Sequence, residues 1–217
     1  MAEAVAWVFV NGPLAENPHL KEMIHPGDWL VAVDGGYRLL KAIGLKPELV
    51  IGDLDSISAR ELDEIQRGMI PIQRFPKHKD ETDLELALNA VLGRGSRSIR
   101  IVGAQGGRLD QSLGNLFLLL RPELADLDVR IEDGETEAWL IRKEGWVKGQ
   151  TGDVVSLLPV GNPVHGVTTY GLEYPLHSET LWTYRTRGIS NVMESDEARI
   201  EILEGLLICV HIRKALQ

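Results

Sequence analysis

Short apolar runs closed by glycine, proline or aspartate punctuate the first part of this chain and predict buried strands. They fall at Val5–Val10, Trp29–Val33, Leu49–Ile51, Ile70–Phe75, Ser98–Val102 and Val129–Ile131. Between them the spacing changes to a helical one. Helices are expected over Pro18–Ile24, over Tyr37–Ile43 with Gly44 as its stop, and from about Ser58 to near Gly68, where Ser58 and Glu61 have capping-box spacing. Thr82 and Glu85 repeat that spacing ahead of Leu84, Ala87, Leu88 and Val91, which share one helical face. A last helix begins near Asp110, with Leu113, Leu116, Phe117 and Leu120 at i, i+3, i+4 and i+7. Strand and helix in alternation specify a mainly parallel sheet flanked by helices, an α/β amino-terminal domain.

From Gly134 onward the helical spacing is lost. Short β-like runs at Glu137–Ile141, Val154–Leu158, Val164–Thr169, Arg199–Leu203 and Leu206–Ile212 are separated by Gly, Pro and Asn. The expectation is therefore two domains, an α/β domain over 1–134 and an all-β sandwich over 135–217.

Composition narrows the function. The chain has 217 residues and a net charge of −9, which disfavours a general nucleic-acid binder. Any polyphosphate must then be met locally, by metal ions and a few basic side chains. One cysteine, Cys209, excludes an internal disulfide, and the six histidines show no ligand spacing, which argues against zinc chemistry. The start, MAEAVAWVFVNGP, has no basic flank and too short an apolar run for a signal peptide or membrane span, so no membrane and a cytoplasmic location are expected.

The candidate chemistry gathers where the strands end. Asp34, the Asp53/Asp55 pair and Asp80/Asp83 follow successive strands or open a helix, on the edge where α/β sheets bind ligands. Carboxylates brought together there repel one another unless a cation neutralises them, and oxygen ligands suit magnesium. If Gly52 to Asp55 stays extended, Asp53 and Asp55 point to one side about 7 Å apart. The loop GAQGGRLDQ, from Gly103 to Gln111, adds glycines that let backbone amides approach a phosphate, a helix start, and the guanidinium of Arg108. There is no Walker A loop and no G-x-G-x-x-G, so a nucleotide must be held by another scheme.

The ordered set VDGG (33–36), GDLDS (52–56), KDETDLELAL (79–88), GGRLDQSLGN (106–115) and RGISN (187–191) resembles the thiamine pyrophosphokinase family along the whole chain. The resemblance implies an α/β domain followed by a β-sandwich that contributes to thiamine binding and dimerisation, a homodimer with its active clefts between subunits, and ATP and thiamine as substrates. The implied reaction moves pyrophosphate from ATP to the hydroxyethyl group of thiamine and yields thiamine diphosphate and AMP. It makes Asp53, Asp55 and Asp83 the Mg2+ ligands, with Asp34 close by. Lys79, Asp80, Thr82, Arg108 and Asp110 become nucleotide- and phosphate-facing groups, and Ser190 and Asn191 part of the thiamine pocket. Gln111 stands where many bacterial members have His, and Ile208 where some animal members carry Trp. Trp139, Tyr170, Trp182 and Tyr184 remain candidates for an aromatic wall.

Two other classes fit parts of the pattern. DLDS after an apolar strand mimics the nucleophile motif of haloacid dehalogenase-like phosphatases, with Asp53 phosphorylated and Asp55 as acid/base. A binding protein that keeps the fold without turnover is the other. Within the kinase class, a pyrophosphokinase acting on another alcohol, such as a pterin, is the nearest competitor.

Overall fold

The structure, a computed structural model, describes residues 4–13 and 18–214. The chain divides into two compact units, Met1–Gly134 and Glu135–Gln217. In the first, β1 (Val5–Phe9), β2 (Trp29–Val33), β3 (Leu49–Gly52), β4 (Ile72–Arg74), β5 (Ser98–Val102) and β6 (Asp128–Glu132) form a parallel sheet in the order β6-β5-β1-β2-β3-β4. The fourth strand is shorter than its apolar run. Among the described residues five α-helices connect the strands: α1 (Pro18–Glu22), α2 (Gly36–Ala42), α3 (Ala59–Arg67), α4 (Asp83–Gly93) and α5 (Leu109–Leu118).

The chain runs outward from β1 through β2 and β3 to β4, then returns to place β5 on the other side of β1. The order reverses between β1 and β5, so the loops leaving these two strands diverge and open a crevice at their carboxyl ends. Trp7, Phe9, Leu30, Ala32, Tyr37, Leu40, Val50 and Ile65 build one core beside the sheet. Leu84, Ala87, Leu88 and Val91 are buried on α4, which packs against β1, β2 and β3.

Local signals account for the helix ends. Ser58 and Glu61 form a complete capping box on α3, whereas at α4 only the Thr82 half is made, its hydroxyl accepting from the Glu85 N–H. Gly44 takes a left-handed φ of 73° just beyond α2. The apolar stripe on α5 departs from expectation. No residue of this helix is buried, and Leu109, Leu113 and Phe117 are 73%, 43% and 53% exposed. Helical periodicity says that a stripe is to be covered, without saying by what.

The second unit is a β-sandwich. Strands β7 (Thr136–Ile141), β9 (Val154–Pro159), β12 (Asn191–Val192) and β14 (Leu207–Ile212) pair in the order β12-β9-β14-β7. Facing them, β8 (Glu144–Lys148), β10 (Val164–Tyr170), β11 (Glu179–Leu181) and β13 (Glu197–Glu201) pair as β11-β10-β13-β8. Both sheets contribute to one core, with Ile141, Val155, Leu157 and Cys209 from the first and Val147, Val167, Leu181 and Ile200 from the second. Beside that core three polar side chains are buried together. His211 on β14 has Nδ1 2.9 Å from Glu137 Oε1 and Nε2 2.9 Å from Asp153 Oδ2.

Among the described residues no helix is long and apolar enough to cross a membrane.

Candidate active site

The crevice between β1 and β5 opens into a cleft of about 790 Å³. Val10, Asn11 and Gly12 line it from the β1 loop, and Gly103, Ala104, Gly106 and Arg108 from the β5 loop. The two loops touch backbone to backbone, since a Cβ on Gly12 would stand 1.9 Å from the Gly103 carbonyl oxygen. Asn115 on α5 donates to the Ala104 carbonyl at 2.9 Å and fastens the glycine-rich loop to the helix that follows it.

Three carboxylates meet on the floor of the cleft. Asp34 follows β2, Asp53 follows β3, and Asp83 opens α4; one oxygen from each lies within 4.8 Å of the others. The backbone turns sharply to bring them together. Asp34 has a left-handed φ of 46°, and its carboxylate occupies the space where a Cβ on Gly52 would stand, 2.0 Å away. The Leu54 N–H donates to Asp34 Oδ1 at 2.9 Å. Burial pushes the Asp34 carboxyl up; the Leu54 N–H opposes this, and the nearby charges of Asp83 and Asp53 reinforce it, leaving the pKa at about 7. Asp83 Oδ1 is buried and takes part in no hydrogen bond among the described residues, although Lys79 Nζ lies 2.8 Å away as an ion-pair partner. A crowded, under-donated set of hard oxygens fits a divalent cation such as magnesium.

Asp55 stands apart from this trio. The segment after β3 does not stay extended: Leu54 takes a φ of 69°, and the Asp55 N–H folds back onto Asp53 Oδ1 at 2.8 Å. Asp55 is thereby turned toward Lys77, whose Nζ lies 2.9 Å from its Oδ2. The hydrogen bond to Lys77 holds its carboxyl below the usual aspartate range. Arg108 and Asp110 pair with each other in an exposed fork at the cleft wall, which raises the pKa of the first and lowers that of the second. Thr82 lines the cleft, and Asp80 is exposed on the loop before α4.

Arg38, which lies outside the sequence motifs, helps to position this floor. The guanidinium of Arg38 on α2 reaches the Ser56 carbonyl, Glu61 at 2.7 Å and Asn11 at 3.3 Å, and so ties the β1 loop, the β3 loop and the start of α3 together. Ser56 Oγ accepts from the Gly35 N–H at 2.9 Å. A lone arginine on a helix surface carries no pattern that would have singled it out.

A cleft at the strand-order reversal, floored by carboxylates from the VDGG, GDLDS and KDETD segments, invites comparison with known proteins. Residues 20–131 match the family described as thiamin pyrophosphokinase, catalytic domain, and residues 142–207 match thiamin pyrophosphokinase, vitamin B1 binding domain. This chain belongs to the thiamine pyrophosphokinase family. The thiamine pyrophosphokinase of Bacillus subtilis is 27% identical over 205 residues, covering 94% of this chain and 96% of that one. A crystal structure of thiamine pyrophosphokinase from the same organism aligns with a TM-score of 0.87 at 26% identity, over 98% of this chain and 100% of the other. One from Geobacillus thermodenitrificans aligns with a TM-score of 0.82 at 28% identity, over 97% and 98% of the two chains. Membership of the thiamine pyrophosphokinase family sets aside the reading of Asp53 as a phosphatase nucleophile.

In the domain that matches the vitamin B1 binding family, the RGISN segment forms a rigid loop. Arg187 grips Glu179 in a bidentate pair at 3.1 and 3.0 Å. Ser190 is exposed with a φ of 58°, and its N–H donates to Ser156 Oγ at 3.0 Å. Asn191 is buried; its side-chain oxygen accepts from the Tyr174 and Val192 N–H groups and its amide donates to the Tyr174 carbonyl, so it pins the loop. A hollow of about 320 Å³ lies nearby, lined by Leu157, Leu158, Tyr184, Arg185 and Ile189 among others. Of the four aromatic candidates, Trp182 and Tyr184 are exposed together with ring centroids 5.8 Å apart. Trp139 is in the core, and Tyr170 on β10 lies under Arg199 of the neighbouring strand β13.

Proposed function

We propose that this chain is a thiamine pyrophosphokinase, which transfers the pyrophosphoryl group of ATP to the hydroxyl of thiamine with Mg2+ and releases AMP. The observation that carries the reading is the carboxylate trio in a cleft at the strand-order reversal, within a chain that matches both family domains in order. Asp53 and Asp83 would hold the metal with Asp34 beside them, and Asp55 once it leaves Lys77. When bound, Mg2+ neutralises phosphate charge and polarises the phosphorus under attack. Arg108, freed from Asp110, and Lys79 would meet phosphate oxygens whose charge grows in a loose transition state. Such a state needs little proton removal before attack, so positioning of the thiamine hydroxyl is the chain's main task. We assign the 1–134 domain to nucleotide and metal, and the 135–217 domain, through Ser190 and the rigid RGISN loop, to thiamine.

The test is to incubate the purified protein with Mg2+ and ATP, with and without thiamine, and to resolve the nucleotides. Thiamine-dependent AMP matched by thiamine diphosphate is expected; ADP, or no dependence on thiamine, would overturn the reading.

The same reading includes a homodimer. The uncovered stripe of Leu109, Leu113 and Phe117 on α5 supports it, because exposed apolar residues in one row mark an association surface. Phe117→Asp should weaken the dimer by about 100-fold or more, as loss of a buried aromatic anchor does. Light scattering coupled to size exclusion at micromolar concentration should then show a monomer; an unchanged dimer would place the interface elsewhere.

A further inference from the structure

Two carboxylates at the cleft are answered by two lysines of a single loop. Between β4 and α4, Lys77 Nζ lies 2.9 Å from Asp55 Oδ2 and Lys79 Nζ lies 2.8 Å from Asp83 Oδ1. The two pairs differ in their surroundings. The Lys79 and Asp83 side chains are only 11% and 23% exposed, and Lys79 is also anchored on the Pro76 carbonyl at 3.1 Å. Lys77 and Asp55 are 68% and 52% exposed, and among the described residues no backbone carbonyl anchors Lys77. Its ammonium is a point charge on a flexible stem, held by one carboxylate in water, and such a pair is weak and exchanges readily.

The turn at Leu54 gives that pair its meaning. By folding the Asp55 N–H onto Asp53, it leaves the Asp55 side chain two residues along the chain from Asp53 and outside the trio. Lys77 holds it there. We propose that Lys77 is a displaceable counter-ion: it restrains Asp55 while the cleft is free of ligand and passes to phosphate oxygens when a polyphosphate and its divalent cation enter, releasing Asp55 to the cation. Lys77 is thus a positioning residue for Asp55 and a ligand for phosphate, in turn and never both at once. Because one ammonium serves two partners, cation and polyphosphate each remove an obstacle to the other, and their binding is coupled. The acidic protein gains selectivity from this. Free divalent cations compete with Lys77, free polyphosphate competes with Asp55, and the complex of the two meets neither competitor.

This inference rests on the proposed function only in taking a metal–polyphosphate as the ligand, and it is tested by binding, without thiamine or turnover. Mn2+, inorganic tripolyphosphate and their complex are titrated calorimetrically into the full chain. Lys77→Met should bind Mn2+ alone about two- to five-fold more tightly and the complex several-fold more weakly, the range that an exposed ion pair supports. Asp55→Asn, which frees Lys77, should bind metal-free tripolyphosphate more tightly than the wild type by a similar factor. In the Asp55→Asn background, Lys77→Met should no longer tighten Mn2+ binding, which a double-mutant cycle reads directly. Changes of the same sign for metal and complex, or gains that persist without Asp55, would overturn the counter-ion role and leave the proposed function standing. A wild-type protein that binds neither Mn2+ nor tripolyphosphate would overturn both.

Discussion

Asp53→Asn should abolish most thiamine-dependent AMP formation, by about a hundredfold or more, the scale on which one preorganised electrostatic group acts. The substitution isolates charge from shape. Asp53 Oδ1 accepts the Asp55 N–H at 2.8 Å, and an asparagine oxygen accepts it equally well, so the turn that builds the floor survives. What disappears is the charge of one of three carboxyl groups whose oxygens lie within 4.8 Å of each other. The fold should therefore gain while the activity falls. Relief of like-charge repulsion is worth on the order of 1 kcal/mol, and a domain of this size moves by about 2–4 °C for each kcal/mol. The Asp34 carboxyl, which the charge of Asp53 helps to raise to about 7, should titrate lower in the variant. The nucleotide assay, differential scanning and a pH titration of the Asp34 carboxyl read the three effects, and calorimetry with Mn2+ reads the metal affinity. Undiminished turnover with unchanged metal affinity would remove Asp53 from the site.

In the other domain, Asp153→Asn should lower stability by about 3–5 kcal/mol, because it leaves a buried ionic group without one of its partners. Asp153 accepts the Lys214 N–H at 2.8 Å, the Gln150 N–H at 3.0 Å and His211 Nε2 at 2.9 Å, so an amide there would turn a donor onto donors. Burial pushes the Asp153 carboxyl up, yet these N–H groups outweigh it and hold the pKa below the ordinary 3.8. A depressed carboxyl contributes stability above its unfolded pKa and loses it as pH falls through the folded one. The gap between wild type and variant should thus be full at pH 7, begin to narrow near pH 4, where the unfolded carboxyl starts to take up its proton, and close only as pH falls through the lower folded pKa. Thermal scans at both pH values check this. A constant gap would mean that packing, and not charge, is what the aspartate supplies.

The local parts of this structure were legible in the chain. Trp29–Val33 reads as a strand and is one, Ser58 and Glu61 announce the start of α3, and Gly44 marks the end of α2. What escaped depends on distant neighbours or on single backbone angles. The strand order β6-β5-β1-β2-β3-β4 is a matter of long-range pairing, so the site was placed at strand ends without the crevice between β1 and β5. A period of two predicts Asp53 and Asp55 on one side; Leu54 at a φ of 69° breaks that period, which sets Asp34 in the trio and Asp55 beside Lys77. Strand β8 carries Glu144, Trp146 and Lys148 outward and only Gly145 and Val147 inward, too thin an apolar signal to stand out. Arg38, which joins three loops, has no motif at all.

The contact between Gly52 and Asp34 binds two distant positions into one mutational unit. A side chain at 52 would need the space that the Asp34 carboxylate fills, so it is admissible only if that carboxylate is given up. The reverse exchange is unhelpful, since an emptied position 34 leaves a backbone at 52 whose φ of 148° still disfavours any side chain. Selection for a different metal or acceptor would find this corner closed to single steps.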